Sequence, residues 1–303
     1  MKSTIVRRVG LAVAAVTALG GVAACNSSDS AGSSGSSGKD DKAGHKGTTH
    51  VSPIAALRSA EKSTDKADSA KVESTTTMGS LMSMTADGAL GWADGLRGNL
   101  TITYTGGQMA ETMRQTGSTS MEARYLPDAY YAKMGDKFAA QAGGKHWIRY
   151  GYDDLAKMAG GSGAYLKDQM QNTTPNQSVK LLLASGDVKK VGEEKVRGEN
   201  TTHYSGTVNV ADLATKNSNL TESQIADLKK QLTQAGVTTE TVDIWVNGDD
   251  LLVKKVEKGE LTSGTMSSTA YYSDYGVKVS AQEPPAGDTA DFKDLMKSQG
   301  ATS

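Results

Sequence analysis

The sequence predicts one α+β domain over residues 51–303, an antiparallel sheet whose strands are interrupted by helices. Three observations lead there. Several segments alternate apolar and polar side chains with period two, leaving one dry and one wet face, as antiparallel pairing requires. Helical signatures fall between runs of strands instead of alternating with them one for one. No linker or fixed-period repeat divides the stretch, and a 303-residue chain accommodates one large antiparallel domain behind N-terminal segments.

Composition limits the chemistry. Counting Gly and leaving Tyr aside puts the apolar share at roughly 45%, an ordinary globular value. The single Cys excludes an intramolecular disulfide framework, a cysteine zinc cluster and a CxxC redox pair. A net charge of -1 gives no electrostatic support for a broad nucleic-acid surface, so no nucleic-acid partner is expected.

At the N-terminus Lys2, Arg7 and Arg8 precede an apolar stretch from Val9 to about Val22, shorter than a membrane span and read as a secretory signal. Its end, Val22-Ala23-Ala24-Cys25, resembles the lipobox of bacterial lipoproteins. The resemblance implies cleavage after residue 24 and diacylation of Cys25, and two acyl chains supply the paired signals that stable anchoring needs. Arg7-Arg8 suggests twin-arginine export, but Val9-Gly10-Leu11 departs from that pattern, so the export route stays open. Residues 1–24 are thus expected to be a signal peptide, and 25–50 the lipidated Cys with a tether.

That tether, Asn26 to His50, is Ser, Gly and small charged residues with no large apolar side chain, and it cannot offset its chain entropy by burial. Its root-mean-square reach is about 25–30 Å. His45 and His50 lack acidic or thiol companions, and no metal site is expected.

Ser52-Pro53 is a cap and first-turn signature, with Ile54, Leu57 and Ala60 along one face, which predicts a helix to about Asp68. Short segments rich in Thr, Val, Tyr and Met follow. In NLTITYTGG, Leu100, Ile102 and Tyr104 share one face. In THYSGTVNV, Tyr204, Val208 and Val210 oppose His203, Ser205, Thr207 and Asn209. In the segment from Thr241, Val242, Ile244 and Val246 alternate with Asp243 and Trp245, and Asn247-Gly248 opens a hairpin turn. Residues 152–172 predict two short helical pieces around Gly160-Gly161, and SVKLLLASG another with Val179, Leu182 and Leu183 together. Thr221 and Gln224 form a capping box for a helix ending at Gly236.

A helix after a lipoprotein tether, a strand meander, the stretch GDVKKVGEEKVRGENTTHYSGTVNV (186–210), TVDIWVNGDDLLVKKVEKG (241–259) and SDYGVKVSAQEPPAGD (273–288) together resemble the LolA-like, LppX/LprG-type lipoproteins of actinobacterial envelopes. The resemblance implies a curved antiparallel half-barrel with helices over its concave face and an apolar cavity for acyl chains. It implies a lipid or lipoglycan ligand carried at the extracytoplasmic face of the cell membrane, with a membrane transporter as a further candidate partner. A protein-binding envelope sensor using the same half-barrel is the alternative.

Cavity candidates on this reading are Met82, Met84, Leu100, Ile102, Tyr104, Met121, Tyr130, Val242 and Ile244. Flexible thioethers adapt to varied apolar partners, and Met78, Met109, Met113 and Met134 lie in the same region. Methionine also fits a core with only 2 Phe. Tyr104, Tyr125, Tyr130 and Tyr131 could meet a head group at a cavity mouth, or serve packing alone. No cofactor or enzyme is expected: SxxK occurs at Ser59-Lys62 and Ser63-Lys66 without companion motifs, and GxSxG, HExxH and P-loop patterns are missing. His203 reads as structural, and Glu193, Glu194 and Glu199 among Lys189, Lys190, Lys195 and Arg197 as solvated strand and turn residues.

Overall fold

The structure is a computed structural model that describes residues 52–158, 174–212, 238–261 and 264–300, with Glu222, Ala226, Lys229, Lys230 and Thr233 as single positions. The signal peptide, Cys25, the tether and Gly160-Gly161 lie outside the described residues, as does most of the helix expected over 221–236.

The first half of the chain runs α1 (Pro53–Lys66), β1 (Ser69–Met78), β2 (Met82–Gly91), β3 (Arg97–Gly106), α2 (Gly107–Thr116), β4 (Ser120–Tyr125), β5 (Ala129–Lys133), α3 (Asp136–Gln141), β6 (Trp147–Gly151) and α4 (Tyr152–Met158). The second half adds α5 (Asn176–Ser185), β7 (Lys189–Val196), β8 (Glu199–Asn209), β9 (Thr239–Asn247), β10 (Leu252–Leu261), β11 (Gly264–Ser273), β12 (Thr289–Asp291) and α6 (Phe292–Gly300). The strands form one sheet in the order β12-β6-β5-β4-β3-β2-β1-β11-β10-β9-β8-β7. Every pairing is antiparallel except β12 with β6. Two meanders, β1–β6 and β7–β11, are therefore joined where β1 pairs β11. This curved α+β sheet is the architecture that the resemblance implied.

Local chemistry explains the elements. Ser52 Oγ accepts from the Ala55 amide at 3.2 Å and Pro53 sits in the first turn, so α1 starts where the sequence placed it. It stops at Lys66 because Asp68 turns left-handed, at φ 64°. The β9–β10 hairpin lies where expected, but the left-handed residue is Asp250 (φ 59°), not Gly248. Asn247 Oδ1 accepts from the Asp249 and Leu251 amides and shapes the longer turn.

One helix was hidden from strand periodicity. Met109 and Met113, read within a strand-rich run, are four residues apart on the buried face of α2. Gly107 opens this helix at φ 77°, and a Cβ there would meet the Leu81 carbonyl at 2.7 Å.

Among the described residues, the helices that contact the core lie on one face. There α1 and α5 cover a core of Leu57, Ala70, Val72, Leu182, Val242, Ile244 and Tyr272. On the same face α2, α3, α4 and α6 cover a second core with Met84, Ile102, Met113, Ile148 and Phe292. On the opposite face Trp245 packs with Val196 and Val253, and residues 274–288 run across strand ends, with Val277, Ser280 and Gln282 carbonyls accepting from Ser69, Asn99 and Arg124.

Candidate functional site

The helix-covered face gathers the residues that the sequence singled out, but into two groups. Met82, Met84, Leu100, Ile102, Tyr104, Met121 and Tyr130 belong to the second core; Val242 and Ile244 belong to the first. All nine are buried. Period-two alternation explains why they share a face, because strand partners in register point the same way. Met78 and Leu90 touch both cores and bridge them. Around this bridge the central strands point Ser74 and Thr76 inward, and these, Met78 and Leu90 remain half-buried, between the two helical covers.

Tyrosines concentrate at the second core. Tyr125 and Tyr130 have ring centroids 5.1 Å apart, Tyr130 and Tyr150 5.6 Å, and Tyr150 and Phe292 4.8 Å. Burial pushes the Tyr104 phenol up to about 12 and those of Tyr125, Tyr130, Tyr150 and Tyr152 further, so all stay neutral. The hydroxyls of Tyr130 and Tyr152 are buried with no hydrogen-bond partner among the described residues. Tyr131 departs from the expectation of a shared mouth. It packs on the opposite face with Leu126, Ala129 and Trp147, because its side chain alternates away from Tyr130.

Sequence reasoning missed a buried polar cluster under α5. Lys255 Nζ donates to Ser178 Oγ at 2.8 Å and lies 3.2 Å from Glu257 Oε2, and Ser178 Oγ donates to Glu257 Oε1. Ser178 and Glu240 are 0% exposed, Glu257 1% and Lys255 4%. Neither Glu240 carboxyl oxygen has a hydrogen-bond partner among the described residues. Burial, then the charge of Glu257, hold the Glu240 carboxyl well above the ordinary range against the pull of Lys255.

The contact between Ser178 and Lys255 has the geometry of a nucleophile and its base, but not the charge state. Burial, the largest single influence, would lower the Lys255 ammonium, yet the charge and hydrogen bond of Glu257 together with Tyr272 and Glu240 outweigh it and hold the group above its ordinary value. A protonated lysine cannot take a proton from serine. The SxxK serine Ser59 donates to Asp250 Oδ2 at 2.6 Å while Lys62 is exposed.

His203 sits on the face away from the helices. Its Nε2 is 2.8 Å from Asp243 Oδ1 and its ring stacks on Trp245 at 4.1 Å. His146 is fixed to Asp288, Nδ1 to Oδ1 at 2.7 Å. A cleft of about 620 Å³ opens along Glu193, Lys195, Asn200, Thr202, Val246 and Asn247 at the end of β7, β8 and β9, lined mainly by polar groups.

These features define a class: an α+β half-barrel whose apolar inner wall is roofed by helices and carries isolated buried polar groups. Comparison with known proteins places the chain more narrowly. No family model matches. An uncharacterized protein from the rplA-rplJ intergenic region of Streptomyces griseus is 61% identical over 252 residues, 83% of each chain. A "Putative lipoprotein" of Streptomyces coelicolor is 57% identical over 246 residues, 81% of this chain and 77% of its own. The chain belongs to the family formed by these Streptomyces proteins. Among solved structures, the Mycobacterium tuberculosis lipoprotein LppX aligns over 76% of this chain and 98% of its own, with TM-score 0.47 and 16% identity. LprF from Mycobacterium bovis aligns over 77% and 97%, with TM-score 0.47 and 16% identity.

Proposed function

We propose that this protein is a lipoprotein of the cell envelope, acylated at Cys25 and tethered by residues 26–50, that holds acyl chains of a lipid or lipoglycan against the inner face of the sheet. It is read as a carrier or presenter at the extracytoplasmic membrane face, without enzymatic activity. The observation that carries the proposal is the bridge between the two cores. Met78 and Leu90, with Ser74 and Thr76, are inward-facing on central strands yet only half-buried, so the inner wall continues where the described helices do not cover it.

Chains entering there would extend along walls of Met82, Met84 and Met121 on one side and Val242 and Ile244 on the other as α5 or α2 moved outward. Each methylene taken out of water contributes about 0.8 kcal/mol gross, a gain that competes with the bilayer only when the helical cover opens. The lipobox at Val22-Cys25 and the lipoprotein name of the Streptomyces coelicolor relative support the anchor.

The test is native mass spectrometry of the exported protein with Cys25→Ser, followed by lipid extraction. Protein purified gently from a bacterial host is expected to carry a stoichiometric lipid mass that organic solvent removes. Consistently empty protein that takes up no lipid from vesicles would overturn the reading.

A further inference from the structure

The buried cluster under α5 contains one positive group and two carboxyl groups. Ser178, Lys255 and Glu257 satisfy one another, whereas Glu240, on the next strand and facing the same interior as Val242 and Ile244, has both oxygens unmatched among the described residues. A buried polar group without a partner costs stability, and one retained in a core marks a place where something else completes the bonding. Ionised, Glu240 lacks a counter-charge; protonated, it lacks an acceptor for its hydroxyl. Tyr272, the other titratable group beside Lys255, is held neutral by burial and supplies no charge.

We infer that Glu240 marks the polar end of the ligand-binding interior and receives a primary ammonium group carried on an acyl chain. The inference rests on the acyl-chain reading above. With Glu240 ionised, two carboxylates and the Lys255 ammonium leave one negative charge unmatched, and a second ammonium balances the count. An anionic head group would add a third negative charge to a dry site. A divalent metal finds only two carboxylates, one already engaged by Lys255 and Ser178, and no group of three or more acidic, His or Cys ligands stands ready among the described residues. An N–H donor to a carboxylate forms the stronger, charge-assisted bond. Lipids whose head group is a lone ammonium, with no phosphate beside it, share this chemistry.

Decylamine and decanol, below their aggregation concentrations, separate the ammonium from the chain. Calorimetric titration of the Cys25→Ser protein at neutral pH is expected to show decylamine binding about tenfold tighter than decanol. Glu240→Gln, isosteric with the protonated acid, is expected to bring that ratio close to one. Equal binding of the two probes by the Cys25→Ser protein, or a ratio that survives Glu240→Gln, would overturn the inference while leaving acyl-chain binding in place. The ratio before substitution decides the matter even if the variant fails to fold. Binding of neither probe overturns the acyl-chain reading itself, and this inference with it.

Discussion

Lys255 reaches across the interface between β10 and α5 to donate to the Ser178 hydroxyl at 2.8 Å, so a charge on the sheet fastens the helix that roofs it. Removing one member of a buried ion pair leaves the other uncompensated, which costs about 3–5 kcal/mol. Lys255→Met is therefore expected to lower stability by that amount in urea unfolding. A double change of Lys255→Met and Glu257→Leu should recover most of the loss. If the double variant is no more stable than the single one, the pair is not the origin of the effect.

Stability should fall as pH rises, and Glu240 supplies the sign. Its carboxyl is raised in the folded chain, first by burial and then by Glu257, from the ordinary value of 4.5. Such a group favours the folded state fully below 4.5, and that contribution is lost as pH climbs through the window above it. The slope is at most about 1.4 kcal/mol per pH unit. Melting curves taken across that window should therefore shift downward with pH in the native protein, and Glu240→Gln should flatten the trend and stabilise the alkaline end.

Two tyrosines provide a matched contrast. The Tyr275 hydroxyl donates to the Leu252 carbonyl at 2.6 Å, while the Tyr130 hydroxyl is buried and unmatched among the described residues. Tyr275→Phe is expected to cost about 1 kcal/mol, whereas Tyr130→Phe should be neutral or stabilise by up to about 1 kcal/mol. Chemical denaturation reads both. A large loss for Tyr130→Phe would show that its hydroxyl is satisfied in solution.

Gly107→Ala should destabilise by about 2 kcal/mol or more, because it forces a side chain into φ 77° and against the Leu81 carbonyl. Thermal unfolding checks the magnitude. Gly248→Ala is the control: its Cβ position meets open space, and a change within about 0.5 kcal/mol is expected.

Strands with clean alternation were legible in the sequence, which is why Leu100, Ile102, Tyr104, Val242 and Ile244 landed on the inner face. The α1 cap was equally legible, because Ser52 and Pro53 act within one turn. Lys255 and Glu257 were not. The register against β9 shifts between Leu252 and Lys254, so counting by twos from Leu252 turns both residues to the wrong side. Helix α2 was missed for a related reason: Met109 and Met113 carry its apolar face in a short run flanked by Thr-rich strands. The division of the inner wall into two cores had no local signal, since it depends on which helices return to which meander.

The pairing of β1 with β11 places Lys71 opposite Ser273, at nearly opposite ends of the folded chain. During synthesis β1 emerges early, and one of its edges must wait for β11 before it is closed. A bare edge of this kind invites pairing with a neighbouring chain. The β1 sequence, SAKVESTTTM, sets Lys71 and Glu73 on its outer face and a run of threonines toward its end, and it offers few apolar side chains to a second copy. The strand whose edge waits for β11 is thereby built to remain soluble in the meantime.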